Sequence, residues 1–153
     1  MEHYVSSVDH VGLTVIDLER SIEFYTEVLE CEIVFRQEKK GGYLAAIVGY
    51  PDADVRMVHL QPAGTTTRIE LFEYRQPPSS PRDLEPRNVG NAHICFVVSD
   101  LTALYERLVA HGVTTLSPPI EVDTGVNQGG QSLYLRDPDG ITLELFQRPV
   151  KTA

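Results

Sequence analysis

Two histidines and two glutamates carry the chemistry this sequence offers: His10 and His93, Glu70 and Glu144. Glu144 lies in a run that opens on the turn Asp137-Pro138-Asp139-Gly140 and continues Leu143-Glu144-Leu145-Phe146. An earlier run repeats that layout, from a turn containing Pro62 and Gly64 into Ile69-Glu70-Leu71-Phe72. The histidines repeat as well, His10 seven residues before Asp17-Leu18 and His93 seven before Asp100-Leu101. Each half thus opens on a histidine and closes on a glutamate. Imidazole and carboxylate groups at matching places of a duplicated unit form the donor set of a metal site on a pseudo-twofold axis. Such donors suit one divalent ion of zinc, nickel, cobalt, manganese or iron, and the lack of thiolate ligands argues against a purely structural zinc site. Four protein ligands on an octahedral ion leave two positions for water or substrate.

The elements that must hold these residues follow from the hydrophobic pattern. Residues 8–16 alternate and are rich in β-branched side chains, so they read as a strand with His10, Gly12 and Thr14 on one face. Asp17 is an N-cap for a helix over 18–29, with Leu18, Ile22, Tyr25 and Leu29 at helical spacing. Strands are expected at 32–37, 43–49 and 56–61, and the strand of Glu70 completes the first set. Residues 75–90, with Pro77, Pro78, Pro81 and Pro86, read as a linker. The order then restarts: a strand over 91–99, a helix capped by Asp100 and ended by Gly112, a strand over 113–116, and residues 132–136 pairing with the Glu144 strand across the Asp-Pro-Asp-Gly turn. Period-two alternation puts Leu143 and Leu145 on one face and Thr142, Glu144 and Phe146 on the other; Ile69 and Leu71 are likewise opposite Arg68, Glu70 and Phe72. Both halves read as a β-α-β-β-β unit of an α+β fold, with modules at 1–74 and 91–148 and a tail at 149–153. His10 to Glu70 spans 60 residues against 51 from His93 to Glu144, so the first module carries about nine extra, expected in the 49–54 loop and the 64–67 turn.

At 153 residues and 42% hydrophobic content the chain can bury one good core. A net charge of -9, from 13 Lys and Arg against 22 Asp and Glu, disfavours nonspecific binding to nucleic acid or to an anionic membrane surface. No apolar run approaches the roughly 18 residues needed to span a bilayer, and the polar N-terminus lacks a signal-peptide pattern, so a cytoplasmic protein is expected. Cys31 and Cys95 lie in apolar stretches without CxxC spacing and are expected as buried free thiols.

The motifs Asp9-His10-Val11-Gly12-Leu13-Thr14-Val15, residues 17–25 followed by Val28-Leu29, Gly90-Asn91-Ala92-His93 and Asp137-Pro138-Asp139-Gly140 leading to Glu144 resemble those of the vicinal oxygen chelate superfamily. The resemblance covers residues 8–147. That superfamily includes glyoxalase I, methylmalonyl-coenzyme A epimerase, extradiol dioxygenases, fosfomycin-resistance enzymes and bleomycin-binding proteins. It implies a cupped eight-stranded mixed sheet built from two tandem βαβββ modules with helices outside, a metal in the cleft, a small-molecule substrate and a homodimer.

Carried over by position, His10, Glu70, His93 and Glu144 match the four metal ligands of glyoxalase I, and Glu70 or Glu144 would act as the catalytic base. Dioxygenase members use only the equivalents of His10, His93 and Glu144, so the presence of Glu70 favours a redox-neutral lyase, isomerase or epimerase. An iron-dependent dioxygenase and a metal-free drug- or metabolite-binding protein are the alternatives. Thr14 stands where glyoxalase I has an arginine that grips glutathione, which speaks against lactoylglutathione as substrate. Glu30 stands where glycine is common after the first helix, at a cost of about 1 kcal/mol if a left-handed conformation is kept.

Other polar residues rank lower. Arg56 and His59 have opposite parity, so at most one faces the cleft, and either reads more simply as a surface residue. Tyr43 and Tyr134 are potential hydrogen-bond donors to substrate that read more simply as packing. His3 and His111 look incidental, and residues 125–130 read as a flap or a plain surface loop.

Overall fold

The computed structural model describes residues 4–150; His3 and the end of the expected tail, residues 151–153, lie outside the described residues. The chain divides into two units, Met1–Pro81 and Arg82–Ala153. Each is built on one four-stranded mixed sheet, and the two sheets share a strand order.

In the first unit β1 (His10–Thr14), β2 (Glu32–Lys40), β3 (Asp54–Gln61) and β4 (Arg68–Gln76) form a sheet of order β1-β4-β3-β2. β1 runs parallel to β4, and the other pairs are antiparallel. Leucines and β-branched residues on alternate positions bury one face: Val58, Leu60, Ile69 and Leu71 are all at most 2% exposed. Helix α1 (Leu18–Glu23) packs against β3 and β4, with Asp17 accepting from the Arg20 amide at 3.1 Å as N-cap. The helix widens into a π-helical turn over Phe24–Val28, so adjacent Phe24 and Tyr25 are both buried, together with Val28. Glu30 follows in the left-handed region at φ 57°, so the conformation that favours glycine is kept here.

Residues 43–49 are not a strand. They form helix α2 (Gly42–Val48), flanked by glycines at positive φ and ended by Gly49 in the left-handed conformation. A continuous apolar run has no periodicity to separate strand from helix, and its short length argued for a strand. Leu44, Ala45 and Val48 fall on one helical side, where Leu44 and Ala45 are buried with Ala53, Val55 and Met57, and Val48 packs against them beside Phe72 and Tyr74. Ile47 and Tyr43 stay exposed. Removing this strand leaves the four that a βαβββ unit requires.

In the second unit β5 (Ile94–Val98), β6 (Ile120–Glu121), β7 (Gln131–Arg136) and β8 (Thr142–Gln147) form a sheet of order β5-β8-β7-β6. Helix α3 (Leu101–Ala110) packs on β8, capped by Asp100 accepting from Ala103 at 2.9 Å and followed by Gly112 at positive φ. Leu101, Leu108, Leu135, Leu143 and Leu145 are fully buried. The expected strand over 113–116 is reduced to a bridge from Thr115 to Leu135, flanked by hydrogen bonds from Leu116 to Tyr134 and from Arg136 to Thr114. Pro118 and Pro119 supply no amide hydrogens, so pairing stops and resumes only at β6. The Asp137 carboxylate, buried, accepts from the amides of Asp139 and Ile141 at 2.9 and 2.8 Å and fixes the turn that aims β8.

Among the described residues, no helix is long and apolar enough to cross a membrane.

Candidate functional site

Each sheet turns its glutamate to the face opposite the helix-covered leucines, and each glutamate meets the histidine of its own unit. In the first unit His10 Nε2 lies 3.1 Å from Glu70 Oε2; in the second His93 Nε2 lies 3.1 Å from Glu144 Oε2. The pairing follows from the strand register. β1 aligns His10 with Arg68 and Gly12 with Glu70, so His10 sits one same-face position before the carboxylate. His93 immediately precedes β5, in which Cys95 aligns with Glu144, and it therefore holds the same diagonal place.

His10 is oriented from behind. Its Nδ1 lies 2.9 Å from Asp9 Oδ2, and Arg68 Nη2 donates to Asp9 Oδ1 at 3.2 Å. These contacts hold the Asp9 carboxyl below the usual carboxylate range, the His10 hydrogen bond contributing most and the Arg68 charge next. With Nδ1 turned to Asp9, Nε2 is the ring nitrogen left to face Glu70. A histidine backed by a carboxylate, its other nitrogen facing a second carboxylate, is an arrangement used by metal ligands. The donor chemistry of each pair therefore fits half of a divalent-cation site. Among the described residues, no group of three or more His, Cys, Asp and Glu side chains forms a cation cluster; what is seen is two pairs.

The second oxygen of each glutamate is satisfied differently. Glu70 is buried, with its side chain 9% exposed, and Oε1 lies 2.8 Å from His59 Nε2. Glu144 is partly open, with its side chain 21% exposed, and Oε1 accepts from the Ser132 hydroxyl at 2.7 Å. Tyr134 stands directly opposite Glu144, as His59 stands opposite Glu70, but its hydroxyl lies 3.3 Å from His93 Nε2. Partial burial, and then the Glu144 charge, push the Tyr134 phenol above its ordinary value. Cys95, aligned with Glu144, is exposed rather than buried; partial desolvation and the same carboxylate push its thiol up to about 11. Cys31 is buried, free and likewise raised to about 11 by burial alone.

His59 is the residue that sequence reasoning undervalued. Parity correctly separated it from Arg56, which lies on the α1 side and pairs with Glu19 and with Glu73 at 2.9 Å. The missing signal was its alignment: His59 precedes Glu70 by 11 residues and Tyr134 precedes Glu144 by 10. The other secondary candidates fall away from the pairs. Tyr43 is exposed on α2 with the Lys39 ammonium 5.6 Å from its ring centroid, His111 caps the end of α3 by bonding the Arg107 carbonyl, and residues 125–130 belong to a loop closed by hydrogen bonds between Val122 and residues 129 and 130. Thr14 aligns with Phe72 on the Glu70 face.

Two like-ordered sheets, each presenting a histidine–glutamate pair opposite its helix, define a duplicated βαβββ domain of the vicinal oxygen chelate kind. Residues 7–145 match the family described as the Glyoxalase/Bleomycin resistance protein/Dioxygenase superfamily, and the chain belongs to it. It is 32% identical to the 2-epi-5-epi-valiolone epimerase of an Actinomyces species, the match covering 94% of this chain and 80% of that protein. It is 31% identical to the lactoylglutathione lyase of Pseudomonas aeruginosa, covering 91% and 81%. The crystal structure of a glyoxalase family protein from Bacillus cereus shares the fold, with a TM-score of 0.84 at 22% identity over 97% of this chain and 98% of that one.

Proposed function

We propose that this protein is a divalent-metal-dependent enzyme of the lyase, isomerase or epimerase type, moving a proton beside a carbonyl of a small oxygenated metabolite. His10, Glu70, His93 and Glu144 would hold the ion, as the family resemblance implies. The observation that carries this reading is the repetition of the pair, Nε2 to Oε2 at 3.1 Å, at equivalent strand positions of both sheets. A metal-free binding protein has no need of two such pairs.

When bound, a divalent ion supplies Lewis-acid polarisation of a substrate oxygen and so acidifies the neighbouring C–H. The chain's own part is to receive and return the proton. Glu70 and Glu144, contributed by separate sheets, provide two carboxylates, as an epimerase needs for removal at one face and delivery at the other. Ser132 and His59 hold the Oε1 atoms, leaving each Oε2 turned toward its histidine. Similarity to both an epimerase and lactoylglutathione lyases supports the redox-neutral class. Thr14 in place of the glutathione-gripping arginine favours an isomerase or epimerase of a metabolite that carries no glutathione. A homodimer is the assembly that the family resemblance suggests.

The test is metal content after purification without chelator, followed by deuterium exchange from heavy water into hydroxycarbonyl substrates, for wild type and Glu70→Ala. The expected result is about one ion per chain, with the ion and the exchange both lost in the variant. No ion after addition of any of the five metals would overturn the reading. A ferrous ion kept by the variant, with oxygen consumed on a catechol, would replace it with the dioxygenase alternative.

A further inference from the structure

We propose that His59 is a positioning residue that locks Glu70 through a hydrogen bond from Nε2–H to Oε1, so that Oε2 is the only carboxylate oxygen left to face His10. This inference rests on the reading of Glu70 as a ligand. Three observations carry it. His59 and Glu70 are aligned across β3 and β4, with Nε2 and Oε1 2.8 Å apart, and both side chains are nearly buried, at 14% and 9% exposure. His59 Nδ1 is buried and no donor or acceptor among the described residues reaches it. A proton placed there would be a buried N–H without an acceptor, so the neutral ring carries its proton on Nε2, pointing at the carboxylate. The His59 ring is also held edge-on by its neighbours, 5.9 Å from His10 and 6.0 Å from Phe35 between centroids, which fixes the angle at which Nε2 approaches.

The second unit shows why the first needs this residue. There the oxygen Oε1 of Glu144 is served by Ser132, on the β7 position aligned with Phe146. The corresponding position of β3, aligned with Phe72, is Met57, which has no hydrogen to donate. His59 supplies the donor from the adjacent same-face position. The lock therefore replaces a function that a hydroxyl performs in the duplicate.

Two measurements on the full chain test this. The first is the affinity for Co2+ alone, by calorimetric titration, of wild type, His59→Gln and His59→Leu. Gln keeps an N–H near the place of Nε2 and Leu removes it. His59→Leu is expected to bind about 10–100-fold more weakly, the usual loss when an outer partner of a ligand is removed, and His59→Gln is expected to stay within about threefold of wild type. Equal binding by the Leu variant, or a Gln variant no better than Leu, would overturn the proposal. The second is the two-bond 15N–1H spectrum of the metal-free protein, in which His59 is expected as the Nε2–H tautomer and Glu70→Ala is expected to release it to a mixture. An Nδ1–H ring in the wild type, or a spectrum unchanged by Glu70→Ala, would also overturn it. If the wild type bound no Co2+, the metal reading would fall while the tautomer spectrum still decided whether the lock exists.

Discussion

The two glutamates occupy equivalent places in like-ordered sheets and yet stand in different surroundings. Glu70 is clamped between two imidazoles and buried, beside a sheet face that α2 partly covers. Glu144 is held by one imidazole and one hydroxyl, is more open, and has an exposed thiol and a phenol as neighbours. Duplication preserved the histidine–glutamate pair while the second oxygen's partner diverged. The physical demand is that this oxygen find a donor, and histidine and serine each meet it. What differs is rigidity: a buried carboxylate facing a ring nitrogen at each oxygen has fewer alternative conformations than one sharing a rotatable hydroxyl.

The comparison can be broken most strongly at the carboxylates. Glu70→Gln and Glu144→Gln are each expected to lower substrate deuterium exchange by about 10²- to 10⁴-fold, the range for loss of a positioned acid or base. Losses measured by NMR on each of two epimeric substrates would reveal which face each serves. Next in size is the packing around the second glutamate's face. A Cβ on Gly130 would lie 2.7 Å from the Gln147 carbonyl oxygen and 2.7 Å from a Phe146 ring carbon, so Gly130→Ala is expected to cost about 1–3 kcal/mol in urea unfolding. In the first unit Gly12 leaves 3.6 Å to Phe72, an ordinary contact, and Gly12→Ala is expected to stay within about 0.5 kcal/mol.

The thiols sharpen the comparison by pH. From an ordinary value of 9.0, burial pushes the Cys31 and Cys95 thiols up to about 11 in the folded chain. Between those values the folded state keeps protons that the unfolded state has released, so stability is expected to fall as pH rises from 9 to 11. Cys95 lies beside Glu144 and Cys31 does not, so Glu144→Gln is expected to speed alkylation of Cys95 severalfold at pH 8 and to leave Cys31 unchanged, as peptide mass analysis would show. A further small effect concerns the helix end of the first unit. Glu30 is the only non-glycine residue at positive φ among the described residues, and Glu30→Gly is expected to raise stability by up to about 1 kcal/mol in chemical denaturation.

The sequence by itself determined the duplication, the faces of the glutamate strands, the caps Asp17 and Asp100 and the turn at Asp137, because each depends on residues close in the chain. Leu143 and Leu145 against Glu144 is a period-two pattern that one strand carries alone. It also determined that His10 and His93 occupy matching places, which is what made the pairs readable before the fold was known. Only the tertiary structure decided that residues 42–48 are a helix, since an unbroken apolar run buries itself in either conformation and the packing of Leu44 and Ala45 beside Val55 and Met57 settles which. Only it decided that His59 meets Glu70. That contact depends on the register of β3 against β4, and register is fixed by burial on the far face, where Val58, Leu60, Ile69 and Leu71 must fall together.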